Sequence, residues 1–526
     1  MIIPRVQQEK LFNETISLPE VIGVKTTDET GEKAIEVLKI FMPSFTFEQN
    51  EDSIIEFVCD GSLKPEEYIL TVTDKIEITY SDFLGARNGC ATLAQMVADK
   101  FIKKCEIKDY PKFAYRSFMM DLGRGVGRKE EIKEVIVRLA MLKYNNIHFH
   151  MMDSQGFAWQ SAKHPNLAGP KGDKYSMEYF KGLNDLCVTL GLNVVPELDV
   201  PGHMRTIFDA YPNLQCETDK EERAWTVCAG NEDFYSLCYD LIGELIEMFP
   251  SCKYVHIGGD EVEMTDIKRW CYWDVCPKCQ KLGNSKQEIH YHLVKRVYDI
   301  VKSYGKEVMM WNDWIDISKP SPLPKDIVIE FWRVAQKNRG PYEGCSMQGF
   351  LEQGYTVINA HYPETYVDFK EYASPESLST WLPTLRPETE EQYHNMIIGG
   401  ETCAWEYGNI PDYRFYRYTL PSPLGLFADR LWNGTYKEYD REYETALTKA
   451  VLGNDCPKDL NIFEYLGTIM PPAHSDIMAK IENVTATDEE LDEVQLKLIP
   501  LAVSEKHGRY LALAYIECLL WIKNNR

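Results

Sequence analysis

The sequence predicts an α/β protein: a (β/α)8 barrel (TIM barrel) with a small N-terminal α+β domain before it and a C-terminal helical extension after it. Three observations carry that expectation. Eight short apolar runs recur between residues 117 and 405, and the first four alternate with helix-length amphipathic segments. Runs this apolar are buried on both faces, as strands of a parallel sheet wrapped by helices are. Polar and aromatic residues gather at or just past the ends of the runs, the end of such a barrel that carries chemistry.

Residues 1–110 are expected to form the first domain. IEVLKIFM (35–42), SIIEFVCD (53–60), EEYILTVTD (66–74) and KIEITYS (75–81) read as short strands, and RNGCATLAQMVADKF (87–101) has helical spacing. The barrel is expected over 111–436. SFMMDLGR (117–124) is a strand followed by the helix KEEIKEVIVRLAMLKY (129–144), and NIHFHMMD (146–153) is followed by SMEYFKGLNDLCVTLG (176–191). NVVPELDV (193–200) precedes FYSLCYDLIGELIEMF (234–249), and YVHIGGDE (254–261) precedes EIHYHLVKRVYDIVKSYG (288–305). EVMMWND (307–313), DIVIEFW (326–332), YTVINAHY (355–362) and MIIGGETCAW (396–405) complete the eight. Residues 437–526, charged and helical in pattern, read as an extension packing on the barrel.

Composition narrows the function. With 44% hydrophobic and 26% charged residues the chain is an ordinary globular protein, which excludes intrinsic disorder. Its net charge of −24 repels a phosphate backbone and an anionic membrane surface alike. No stretch approaches the ~18 uninterrupted apolar residues of a membrane span. The start, MIIPRVQQEKLF, lacks the apolar core of an export signal, so a cytoplasmic location is expected. Fifteen cysteines, an odd number scattered from Cys59 to Cys518, fit reduced thiols better than a disulfide scaffold. Cys271, Cys276 and Cys279 in WCYWDVCPKC include half of a zinc-site spacing. The other cysteines are distant in sequence and no His pair follows, so a loop with incidental thiols is expected.

The chemistry centres on HIGGDE, His256 to Glu261. Adjacent carboxylates in a regular strand point to opposite faces. Asp260 and Glu261 can serve one site only where the strand ends, and Gly258-Gly259 permit the bend this requires. Side by side, they suit a two-carboxylate glycosidase poorly, because that mechanism sets its acids on either side of the scissile bond. One of them can instead act as general acid/base while the other orients the substrate. Trp311, Trp332 and Trp405 at later strand ends add flat rings of the kind a sugar's apolar face needs.

With MMDLGR, HFHMMDSQGF, PELDVPGH and a Trp ending the last strand, HIGGDE resembles the family 20 glycoside hydrolases, the β-N-acetylhexosaminidases. The resemblance covers about residues 30–435. It implies a retaining exo-acting enzyme that removes terminal β-linked GlcNAc or GalNAc, the substrate's own 2-acetamido group acting as nucleophile through an oxazolinium intermediate. It further implies Glu261 as general acid/base, Asp260 orienting the acetamido group, and Tyr366 hydrogen-bonding its oxygen. Arg124 and Asp368 are then ligands of sugar hydroxyls, and Trp311, Trp332 and Trp405 the walls of the acetamido pocket and the sugar platform. Asp153 and His203 are implied to hold the catalytic Glu, with His150 and Glu197 behind them. The sequence departs from the family where Gly125 follows Arg124, where Ser154 replaces a second Asp, and where Glu406, a substrate-binding candidate, follows Trp405 directly. These positions lie on the side that reads hydroxyls.

Two rival readings stay open at this point. His148 and His150 on one strand face suggest a metal-dependent amidohydrolase-type enzyme, although the fifth and sixth strand ends then offer Trp311 and Trp332 in place of ligands. A sugar-binding barrel without catalysis is the other. The expectation is no metal and no organic cofactor, a small oligosaccharide or glycoconjugate with a terminal N-acetylhexosamine as partner, and neither nucleic acid nor membrane. A homo-oligomer is compatible with the sequence.

Overall fold

A computed structural model describes residues 2–124, 129–168, 174–264, 267–333, 345–362, 364–367, 378, 381–405, 421–435 and 487. The extension expected over 437–526 lies outside the described residues, Thr487 apart.

The N-terminal part is built on strands β1 (Gln8–Ser17), β2 (Val21–Thr26), β3 (Thr46–Gln49), β4 (Ile55–Cys59), β5 (Tyr68–Val72), β6 (Ile76–Tyr80) and β7 (Phe101–Asp109). They form one mixed sheet in the order β1-β7-β5-β6-β4-β2-β3. Helices α1 (Glu29–Phe41) and α2 (Phe83–Met96) pack on each other and on this sheet. The expected strand at 35–42 is therefore corrected: IEVLKIFM is the second half of α1. The Asp28 side chain caps that helix by accepting from the Gly31 amide, and Glu29 and Glu32 favour its positive end. Ala34, Ile35, Val37 and Leu38 then form its buried side. The apolar run suits a strand or a helix, and the Asp28 cap upstream of it decides the matter.

The barrel consists of β8 (Tyr115–Asp121), β9 (Asn146–His150), β12 (Asn193–Glu197), β13 (Tyr254–His256), β14 (Glu307–Trp311), β15 (Val328–Phe331), β16 (Val357–Asn359) and β17 (Ile397–Ala404). All neighbours are parallel, and β17 closes on β8 with Gly399 opposite Tyr115. A small hairpin of β10 (Met152–Asp153) and β11 (Gly156–Phe157) follows β9. The outer helices include α3 (Lys129–Met141), α4 (Met177–Thr189), α6 (Glu232–Met248), α7 (Lys286–Ser303), the short α8 (Met347–Glu352) and α9 (Pro421–Asn433); α5 (Arg205–Ala210) is a short helix in the loop after β12. Capping is regular: Ser176, Asn231, Ser285 and Ser346 each accept a backbone N–H of the helix that they start. Among the described residues no helix is long and apolar enough to cross a membrane.

The two parts are joined by buried charge. Lys143 Nζ lies 2.7 Å from Asp109 Oδ2, with both side chains fully buried, and Asp109 also accepts from Tyr68 and Trp432. Arg116 on β8 pairs with Glu66. Arg5 is held by Asp429 of α9.

The structure also corrects the reading of the cysteines. Cys216 and Cys228 in the loop after β12 meet Cys276 and Cys279 in the loop after β13, so the CPKC pair is not isolated. Cys271 is buried but stands outside the group.

Candidate active site

The C-terminal ends of the barrel strands bring most of the predicted residues to one place. β13 ends at His256, and Gly258 and Gly259 take φ of 68° and 107°. A Cβ on Gly258 would sit 1.9 Å from Asp199 Oδ1, so only glycine allows this turn. Glu261 follows at φ 44°, a left-handed conformation rare for a residue with a side chain. The double bend undoes strand alternation. His203 Nε2 lies 3.6 Å from Asp260 Oδ2 and 3.5 Å from Glu261 Oε2, so the two adjacent carboxylates converge on one imidazole.

His203, itself at φ 55°, is buried among acids. Its Nδ1 is 2.8 Å from Asp153 Oδ2 and 3.9 Å from Asp199 Oδ2. Burial disfavours the charged ring, but Asp153, Asp199 and Asp260 outweigh it and push the imidazole up to about 10. His203 is therefore a cation at neutral pH. Burial also works against the Asp260 carboxylate, yet the His203 charge beside it holds the group below its usual range. Asp260 Oδ1 is buried with no hydrogen-bond partner among the described residues.

Arg124 and Asp153 extend this chain of charges. Arg124 Nη1 is 2.8 Å from Asp121 Oδ2, and its Nη2 is 2.6 Å from Asp153 Oδ2. Its guanidinium stands over the Trp405 ring, 5.0 Å from the centroid. Asp153, on the β10–β11 hairpin, is buried, and the Arg124 and His203 charges overcome that burial and keep it well below the ordinary carboxylate range. His150 Nε2 is 3.3 Å from the same oxygen, while its Nδ1 pairs with Glu197. Glu197 also accepts from the Trp311 indole N–H at 2.8 Å.

An aromatic wall lines the other side. The Tyr366 ring lies 6.1 Å from that of Trp332, nearly parallel at 16°, and 6.1 Å from that of Trp405. Trp311 is deeper, 1% exposed, with its ring 5.9 Å from Trp405. The indole N–H groups of Trp332 and Trp405 are buried without a partner among the described residues, whereas that of Trp311 is satisfied by Glu197. Asp368 and Glu406, both predicted to bind substrate, lie outside the described residues, as does Gly125.

Four residues that sequence reasoning did not single out complete the site. Asp313 Oδ2 accepts the Glu261 amide at 2.8 Å and is itself clamped by Arg333 Nε and Nη2 at 3.0 and 3.1 Å. Burial, helped by Asp260 and opposed by Arg333, raises its carboxyl to about 7. Trp225 donates its indole N–H to the Glu261 carbonyl at 3.0 Å. Arg269 pairs with the Glu261 carboxylate and lies over the Trp225 ring at 4.2 Å. Asp313 stands two residues past Trp311 at a strand end, a signal the sequence offered. Trp225 and Arg269 are in loops without periodic pattern and gave none. His148 and His150, the pair behind the amidohydrolase-type reading, face buried carboxylates: His148 Nδ1 is 2.8 Å from Glu401 Oε1, and Glu197 holds His150.

Comparison with known proteins places this site in context. Residues 113–435 match the description "Glycosyl hydrolase family 20, catalytic domain", and residues 1–110 match "Glycosyl hydrolase family 20, domain 2". A beta-hexosaminidase of Porphyromonas gingivalis is 29% identical over 419 residues, 72% of this chain and 52% of its own length. The beta subunit of the Mus musculus beta-hexosaminidase is 26% identical over 421 residues, covering 75% of this chain and 73% of the mouse protein. The chain thus spans about half the length of the first relative and nearly three quarters of the second. The crystal structure of the Bacteroides fragilis beta-N-acetylhexosaminidase superposes with a TM-score of 0.73 and 25% identity, covering 85% of this chain and 94% of that one.

Proposed function

Since the chain belongs to glycosyl hydrolase family 20, we propose that it is a retaining exo-β-N-acetylhexosaminidase working by substrate-assisted catalysis. The observation that carries this reading is the convergence of Asp260 and Glu261 on His203 at the barrel mouth. Two carboxylates gathered on one side suit a mechanism in which the protein supplies an acid and a positioning group but no nucleophile.

In this reading the terminal sugar lies against the Trp332–Tyr366–Trp405 wall with its acetamido group directed inward. The unpartnered Asp260 Oδ1 accepts the acetamide N–H, which turns the carbonyl oxygen toward the anomeric carbon and stabilises the positive charge that develops on the closing ring. Tyr366 donates to that same carbonyl oxygen. Glu261 protonates the departing glycosidic oxygen, and then, as the conjugate base, takes a proton from the water that opens the oxazolinium. Two inversions at the anomeric carbon give net retention. His203, charged and held by Asp153, keeps Asp260 ionised while leaving its second oxygen free for the substrate. The sugar-binding-only alternative leaves the acid without a task.

The test is turnover of an unactivated β-linked N-acetylhexosamine disaccharide. Glu261→Gln is expected to lower kcat by about 10²–10⁴-fold with sugar binding retained. The wild type is expected to cleave the 4-nitrophenyl β-glycosides of GlcNAc and GalNAc and to spare those of glucose and galactose. Equal cleavage of the sugars that lack an acetamido group would require a protein nucleophile and overturn the role given to Asp260.

A further inference from the structure

The four cysteines that join the loops after β12 and β13 form a compact group. Their sulfurs all lie within 4.8 Å of one another, with Cys216–Cys279 at 3.8 Å, Cys228–Cys276 at 3.7 Å and Cys228–Cys279 at 3.6 Å. All four side chains are buried. These distances are far too long for a disulfide, whose sulfurs stand ~2.05 Å apart. They match the ~3.8 Å edge of a tetrahedron of thiolates around a zinc ion with Zn–S bonds of ~2.3 Å. We propose that Cys216, Cys228, Cys276 and Cys279 bind one structural zinc ion, which fastens the loop carrying His203 to the loop carrying Asp260 and Glu261.

The surroundings fit a thiolate site. Cys276 and Cys279 are a C-x2-C pair, and the Gly230 amide donates toward the sulfurs of Cys228 and Cys279. A Cβ on Gly230 would meet the Lys278 backbone at 2.6 and 2.7 Å, so glycine there lets the two loops approach closely enough to share an ion. Four thiolates around a divalent cation leave a net charge of about −2. The Lys278 ammonium stands near Cys228 and Cys276 with its other side on Glu217 at 2.8 Å.

Position gives the ion its purpose. Between the cysteines and the catalytic acids the two loops are laced together: Trp225 N–H to Trp270 O at 2.9 Å, Trp273 Nε1 to Val227 O at 2.7 Å, and Trp225 Nε1 to Glu261 O at 3.0 Å. The lacing uses a few loop hydrogen bonds, each worth only about 1 kcal/mol net. An ion that fixes four side chains at its far end turns two loops into one rigid body.

Metal analysis of the full chain, purified under reducing conditions and desalted, is expected to find one zinc per chain. Replacement by Co²⁺ is expected to give the intense sulfur-to-metal and ligand-field absorption of a tetrahedral thiolate site. Cys228→Ser and Cys276→Ser should bind zinc at least ~10–100-fold more weakly, and Cys271→Ala, a neighbour outside the group, should keep its full equivalent. Zinc release by a mercurial, followed with a colorimetric chelator, should open residues 198–231 and 257–285 to limited proteolysis. The wild-type measurements stand even where a cysteine variant fails to fold. Four titratable thiols with no metal taken up, a mass four hydrogen atoms short from oxidation to two disulfides, iron in place of zinc, or zinc retained by the double Cys228→Ser/Cys276→Ser chain would each overturn the proposal.

Discussion

His203 is one buried ring facing four carboxylates, those of Asp153, Asp199, Asp260 and Glu261. Its proton is consequently part of what holds the site together. With an ordinary value of 6.5 raised to about 10 in the folded chain, it contributes stability that is fully present below about pH 6.5 and is lost as pH rises through about 10. The wild type should therefore lose more in Tm between pH 7 and pH 10 than His203→Gln does, as scanning calorimetry in matched buffers will show. Equal losses would mean that the ring is neutral in the folded protein. At this scale the sequence was informative where chemistry is local. HIGGDE marked Asp260 and Glu261 because they stand just past a strand, and His203 was reached through the family resemblance that PELDVPGH carries. Asp313 acts on Glu261 from the neighbouring strand end, a contact between segments that only the closed barrel brings together, and Arg269 folds back onto Glu261 from eight residues further along the same loop, where no periodic pattern marks it.

The turn after β13 is the element on which the site depends. Gly258 and Gly305 both take left-handed φ, 68° and 71°, but only Gly258 has atoms within reach of an added Cβ. Gly305→Ala should cost the conformational strain alone, about 1 kcal/mol. Gly258→Ala adds the collision with Asp199 and should cost several-fold more in Tm. It should also lower kcat far more than it raises KM, because it turns Asp260 and Glu261 away from each other; parallel thermal melts and steady-state kinetics of the two variants will separate strain from collision. All eight barrel strands were legible, since each is a short apolar run with polar punctuation. The first domain was less so. IEVLKIFM is apolar enough for either state, and β1, QEKLFNETIS, lies at a sheet edge with mostly exposed residues, so it has no apolar alternation to read.

On the scale of the whole molecule, the sheet and the barrel behave as one unit because the charges that join them are buried. Burial pushes the Lys143 ammonium down in spite of the Asp109 carboxylate beside it, a sign of how completely water is excluded there. Lys143→Met leaves that carboxylate without its cation and should destabilise the protein by about 3–5 kcal/mol. Removing the exposed Lys25–Glu51 pair through Lys25→Ala should change little. Urea titrations of both variants give the comparison, and a Lys143→Met as stable as wild type would show that the two parts do not rely on the pair. The same long-range ties govern how the protein comes off the ribosome. Arg5 precedes the whole barrel in the chain, yet its partner Asp429 emerges only after it, and the seam between Tyr115–Met120 and Gly399–Ala404 waits for the eighth strand. Until then the nascent chain carries an open parallel sheet with two unpaired edges, the slow and aggregation-exposed situation of long-range topologies. A chain cut short before Ala404 thus yields no half-working barrel, only a polypeptide for chaperones to hold and proteases to clear.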